Sequence, residues 1–175
     1  TQIQNFPRRM DVSLREVEGC DVLAANSKFV ALRLFDEVSE FVDFFRLDHL
    51  KRRSLSLAVT KEKWPCSSCI NESVLVVASH LSAKVYDLAI VEHVATVRAS
   101  RHSDNFITCV CYESVSESVF AGFDNGMVRV WRICSSAGAD CHAWQAHTAC
   151  VKAIGVVGIS QDLPPEISLI TVCSD

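Results

Sequence analysis

The feature that most constrains this chain is a hairpin that recurs along it. Asp21–Asn26 is followed by Phe29–Asp36, Ser73–Ala78 by Ala83–Asp87, and Ser118–Phe123 by Met127–Arg132. Each copy is a short apolar run, a polar turn, and then a stretch that alternates apolar and polar residues towards an aromatic. Alternation with a period of two, rich in β-branched and aromatic side chains, is a strand signal. A fourth copy opens at Ser168–Cys173, and the sequence ends at Asp175. Phe35, Tyr86 and Trp131 take the same slot, 51 and 45 residues apart. Self-similarity at such a period means small sheets that cannot bury their own faces and must stack on neighbours. Helical periodicity is weak elsewhere, and Val38–Lys51, with Phe41, Phe44, Phe45 and Leu50, only roughly suits it.

The connecting segments carry a second repeat. Ala146-His147-Thr148-Ala149-Cys150-Val151-Lys152-Ala153-Ile154 has a His ahead of an apolar pair, and Arg101–Val110 repeats it around His102 with one more residue. A period near 40–45 residues, an aromatic-Asp close to the third strand and this His loop resemble the WD40 repeat. The expected fold class is therefore all-β: a WD40 β-propeller, with about three and a half blades of a ring that usually has seven. Approximate blades fall at 1–60, 61–100, 101–145 and 146–175, the last incomplete. Ending inside a hairpin turn suggests the C-terminal part of a larger ring. Two departures stand out. Gly is scarce, 6 in 175, with Gly126 in a hairpin turn of the expected kind, and Arg132 follows Trp131 where Asp is usual. An all-β sandwich is the runner-up.

A narrower likeness covers roughly Trp64–Asp175. Trp144–Ile154, the acidic, Pro-containing insertion Ser160–Glu166 and the apolar-Ser-Asp end Ile167–Asp175 resemble the p21-activated-kinase-interacting WD-repeat family. That resemblance implies a nucleolar, nuclear scaffold that assists large ribosomal subunit assembly, with a pre-ribosomal particle or a p21-activated kinase as partner. An adaptor in trafficking, ubiquitination or signalling is the alternative, with a cytoplasmic location.

Each candidate for chemistry has a plainer structural reading. WD40 blades typically hold a buried polar network of loop His, strand Ser/Thr, turn Asp and strand Trp, and such a network fixes a blade when its members are satisfied. His102 with Trp131, and His147 with Asp175 and Thr171, fit those slots. In the first set Asn125 stands in the usual Asp position, beside Asp124. This structural role is preferred to general-base or metal chemistry. Cys66-Ser67-Ser68-Cys69 is a C-x-x-C, but zinc needs a second pair at suitable spacing, and Cys109-x-Cys111 is too close. A redox role would want a βαβ setting. The expectation is no cofactor, no metal and no enzymatic activity; a zinc or thiol enzyme using Cys66 and Cys69 is the dissenting reading. Asn71-Glu72-Ser73 matches a glycosylation acceptor, read as chance. The basic run Lys51, Arg52, Arg53 is a candidate RNA phosphate contact, set against a solvated loop. Trp144 is a candidate partner contact, since Trp is enriched at binding hot spots.

Composition narrows the classes. The net charge is −4, from 17 basic and 21 acidic residues, which argues against nucleic-acid binding by bulk charge. Uncharged stretches such as Ser73–Ala83 reach about half the length of a spanning helix, so no membrane role is expected. Nine cysteines at irregular spacing, mostly inside apolar runs, do not make a disulfide framework and suggest a reducing compartment.

Overall fold

The computed structural model describes residues 19–35, 40–46, 51–55, 67–90, 92–99, 105–133, 141–159 and 167–174. They form three four-stranded antiparallel meanders and one two-stranded sheet. The first sheet is β1 (Gly19–Ala25), β2 (Phe29–Phe35), β3 (Glu40–Arg46) and β4 (Lys51–Leu55). The second is β5 (Ser67–Asn71), β6 (Val74–Ala78), β7 (Ser82–Asp87) and β8 (Glu92–Arg98). The third is β9 (Ile107–Glu113), β10 (Ser118–Phe123), β11 (Met127–Arg132) and β12 (Cys141–Gln145), and the last pairs β13 (Val151–Ile159) with β14 (Ile167–Cys173). No helix among the described residues is long and apolar enough to cross a membrane.

The first strands of successive sheets pack side by side: β5 lies against β1 and β9, and β13 against β9. Sheets that meander outward from a shared inner set of strands are propeller blades. Two sequence expectations need correction. Within Val38–Lys51, Glu40–Arg46 is not helix but strand β3, paired along its length with β2. Cross-strand pairing of a Phe- and Val-rich segment outweighs a rough 3.6 period. Phe35 also does not share the slot of Tyr86 and Trp131. It ends the second strand of its sheet, opposite Gly19, whereas the other two lie on third strands. The first sheet's hairpin is thus one strand out of phase with the other two.

Packing follows the stack. Phe29 and Ala31 of the first sheet meet Leu75, Tyr86 and Leu88 of the second. A larger core joins the second and third sheets, with Val76, Val85 and Val97 on one side and Ile107, Val119, Phe123 and Trp131 on the other. The third and last sheets share a small cluster of Cys109, Val128 and Val151. Phe123 is 1% exposed, so burying its ring contributes about 2–3 kcal/mol before entropy is counted.

Candidate interaction surface

The hairpin turns alternate between the two ends of the blades. At one end, the turn between the second and third strands grips the segment that enters the next sheet. Ala99 and Ala146 donate their N–H groups to the carbonyls of Leu81 and Gly126, at 2.8 and 3.1 Å. Those two bonds are equivalent and mark Ala99 as the counterpart of Ala146. His147 N–H shares the Gly126 carbonyl at 3.0 Å, and Ile107 N–H donates to His80 at 2.8 Å. Gly126 has φ of 82°, and a Cβ placed there would stand 2.0 Å from the His147 carbonyl oxygen. Only glycine accommodates both the left-handed backbone and that approach.

The His147 ring sits above this joint, Nε2 2.7 Å from the Thr171 hydroxyl on β14. Asp124 ties its own blade: its carboxylate accepts from Phe106 N–H at 2.9 Å, while its N–H donates to the Phe106 carbonyl at 3.0 Å. Asn125 accepts from Met127 N–H at 3.1 Å, a turn bond, and its carbonyl accepts the Gln145 amide at 2.7 Å.

Of the residues singled out from sequence, His102 and Asp175 lie outside the described residues, as does Cys66. Trp131 is buried in the core between the second and third sheets, its ring 6.5 Å from that of Phe123. Trp144 lies on outer strand β12 opposite Val128 and is 41% exposed. Lys51, Arg52 and Arg53 run along β4, the outermost strand of the first sheet, opposite Arg46, Phe45 and Phe44. Trp131 and Trp144 therefore lie on the third sheet and Lys51, Arg52 and Arg53 on the first.

Cys109 is buried, and Cys69, Cys111, Cys150 and Cys173 are partly buried. None of these five is in a disulfide. Burial, with Cys111 nearby as a smaller cause, pushes Cys69 up to about 12. A thiol that stays protonated at neutral pH is a poor nucleophile. No group of three or more metal-ligating side chains occurs among the described residues. Asn71, in the glycosylation-like triplet, uses its amide to donate to the Tyr112 carbonyl at 3.1 Å across the joint between sheets.

Sequence reasoning passed over the residues at the opposite end of the blades. Glu113 ends β9 and caps the turn that follows, accepting from Val115 N–H at 2.7 Å and Ser116 N–H at 2.6 Å. Burial would raise its carboxyl. The Ser116 hydroxyl nearby, outside hydrogen-bond geometry, and the two N–H groups outweigh that and hold it below the ordinary range. Glu72 and Glu117 both adopt φ of 49° in the turns after the first strands, where Gly or Asn is usual. Beside them a cavity of about 460 Å³ is lined by Cys69, Ile70, Asn71, Cys111, Tyr112, Glu113, Ser114, Val115 and Val156. The scarcity of Gly was the available signal for the two glutamates. For the cavity there was none, because its walls come from three separate sheets.

No protein-family model matches the chain, and no curated protein matches it. Solved structures do. A chain of the mitotic checkpoint complex aligns with a TM-score of 0.53 at 16% identity, over 75% of this chain and 40% of that one. The extracellular domain of a protein described as a hybrid two-component system from B. thetaiotaomicron gives a TM-score of 0.54 at 15% identity, over 77% and 17%. At such identities the likeness speaks to fold alone, and the chain spans less than half the length of either. The fold is a partial WD40-like β-propeller. The fold by itself does not specify a function; what it supplies is a rigid support for loops.

Proposed function

We propose that this chain is a WD40 scaffold for assembly of the large ribosomal subunit, working in the nucleus and nucleolus, with a p21-activated kinase as a further protein partner. The supporting observation is the joint of Gly126, His147 and Thr171. His147 and Thr171 lie inside Trp144–Asp175, the stretch whose motifs resemble the p21-activated-kinase-interacting family, and Gly126 is the turn residue they pack over. His102, Trp131, His147 and Asp175 serve as structural members of the blades. Trp144, on an outer strand and 41% exposed, meets protein, and Lys51, Arg52 and Arg53 on an outermost strand meet RNA phosphate. No cofactor takes part. Affinity purification of the full-length protein in mild salt is expected to recover pre-ribosomal particles and nucleolar proteins. Recovery of neither, with a tagged protein excluded from the nucleolus, removes the ribosomal reading and leaves an adaptor in trafficking, ubiquitination or signalling.

A further inference from the structure

The turn that joins the third sheet to the last carries a pair of residues able to modify themselves. The side-chain amide of an asparagine can be attacked by the backbone nitrogen of the residue after it, and glycine, lacking a Cβ, obstructs that approach least. Of the five asparagines in the sequence, Asn125 alone precedes a glycine. Its Oδ1 accepts the Met127 N–H at 3.1 Å, which polarises Cγ and supplies a donor to the oxyanion that attack at Cγ creates. Asn26 has the same bond, Oδ1 accepting the Lys28 N–H at 2.8 Å, but the next residue is Ser27. Asn71 commits its amide to the Tyr112 carbonyl and precedes Glu72. What restrains Asn125 is the joint itself. The Gly126 N–H donates to the Phe123 carbonyl at 3.1 Å, and the Gly126 carbonyl accepts from Ala146 and His147. The Gln145 amide clips the turn by donating to the carbonyls of both Asn125 and His147. The Gly126 nitrogen is therefore a nucleophile only while the turn is locally open.

We propose that Asn125 is a site of spontaneous deamidation gated by this joint, and that its isoaspartate product loosens the last sheet. The Gly126 nitrogen loses its proton to hydroxide and bonds to Asn125 Cγ. The side-chain nitrogen leaves as ammonia, and a succinimide ring closes. Water then opens one of the two ring bonds between nitrogen and carbonyl carbon. Opening at Cγ gives aspartate, which keeps an acceptor for Met127 and adds a charge beside Asp124. Opening at the backbone carbonyl carbon gives isoaspartate. That product adds a methylene to the main chain and turns the carbonyl that accepts Gln145 into a free carboxylate. Gly126 lies too close under the His147 carbonyl to admit even a Cβ, so the lengthened chain cannot keep the contact. The net change is one water consumed and one ammonia released, whatever partners the chain has.

The test incubates the folded full chain in mildly alkaline buffer and follows each asparagine by peptide mass spectrometry, with electron-transfer fragmentation to tell aspartate from isoaspartate. Asn125 is expected to lose its amide and yield both products while Asn26 and Asn71 keep theirs. Gln145→Ala removes the clip and should speed the loss by about fivefold or more, the change in turn opening that follows from losing an ordinary hydrogen bond. Hydrogen exchange in β13 and β14 should quicken in the isoaspartate fraction, whereas Asn125→Asp should leave it near that of the unaltered protein. Retention of the Asn125 amide in the folded chain under conditions that convert it in urea overturns the proposal. So does equal conversion at Asn26, an unchanged rate in Gln145→Ala, or an isoaspartate form whose exchange in β13 and β14 is unaltered.

Discussion

The joint between the second and third sheets and the joint between the third and last are the same propeller contact built in two ways. The first is filled with side chains. Val76, Ala78, Val85 and Val97 face Ile107, Val119, Phe123 and Trp131, and two polar side chains of β5 reach the backbone of β9. The Asn71 amide donates to the Tyr112 carbonyl at 3.1 Å, and Val110 N–H donates to the Ser67 hydroxyl, also at 3.1 Å. The second joint works by close backbone approach. A Cβ on Gly122 would stand 2.6 Å from the Val151 side chain, Gly126 lies under the His147 carbonyl, and the Thr108 hydroxyl donates to the Val151 carbonyl. Its apolar cluster is only Cys109, Val128 and Val151 with a partly buried fringe. A side-chain joint loses stability in proportion to the atoms removed from it. A backbone joint has little area to lose and depends on what is never added to it.

Opposite kinds of substitution should therefore damage the two joints. Phe123→Ala empties the larger core and should cost about 4 kcal/mol, read from the urea midpoint. A loss below about 1 kcal/mol would mean that the core does not hold these sheets together. Gly126→Ala adds a single methyl group yet should cost about 3 kcal/mol, because the methyl meets backbone carbonyl oxygens that no rotamer change can move. The sharper test is locality. Hydrogen exchange should speed up in β13 and β14 with Gly126→Ala and in β5 to β8 with Phe123→Ala, and identical patterns would erase the distinction.

The same contrast explains what the sequence reveals. The side-chain joint is legible, because Val74–Val85 and Val119–Val130 each show an apolar run, a polar turn and an alternating stretch, and the strands fall there. The first sheet is legible as strands but not in phase, since Cys20–Phe35 looks like the later hairpins and nothing in local alternation says which strand of a blade it is. The backbone joint shows only as Gly126 in a turn. That Gly122 is an approach site depends on Val151, far along the chain, and no local pattern encodes that distance. His147 could be matched to a motif, and its meeting with Thr171 follows from strand pairing that a motif does not specify. The cavity was invisible for the same reason: Ile70, Tyr112 and Val156 are ordinary strand residues until three sheets converge.

Strand β9 serves both joints, so loosening its end should weaken them equally. Glu113 does that work, with its carboxyl held below the usual value of 4.5 by the bonds it accepts. A lowered carboxyl favours the folded state above its unfolded value, and the advantage fades as pH falls through the folded value. Glu113→Gln should therefore cost about 1 kcal/mol at pH 7, with the gap to the unaltered protein closing as pH drops below 4.5. A gap independent of pH would assign the loss to packing instead of charge.

The smallest effect bears on the turns that the two joints share. Glu72 and Glu117 stand at φ of 49°, each immediately before a Ser-Val pair that starts a second strand. A glutamate gains nothing from the left-handed region, whereas Asn tolerates it through its short polar side chain. Glu117→Asn and Glu72→Asn should each raise stability by about 0.5 kcal/mol, read as a higher melting temperature. The Glu72 backbone carbonyl also accepts the Asn26 amide at 2.8 Å, linking the first and second sheets, and a side-chain replacement leaves that bond in place. Equal gains would show that the cost is a property of the turn alone. A loss at both sites would mean that the glutamates stabilise the blades by a contact that outweighs their backbone strain.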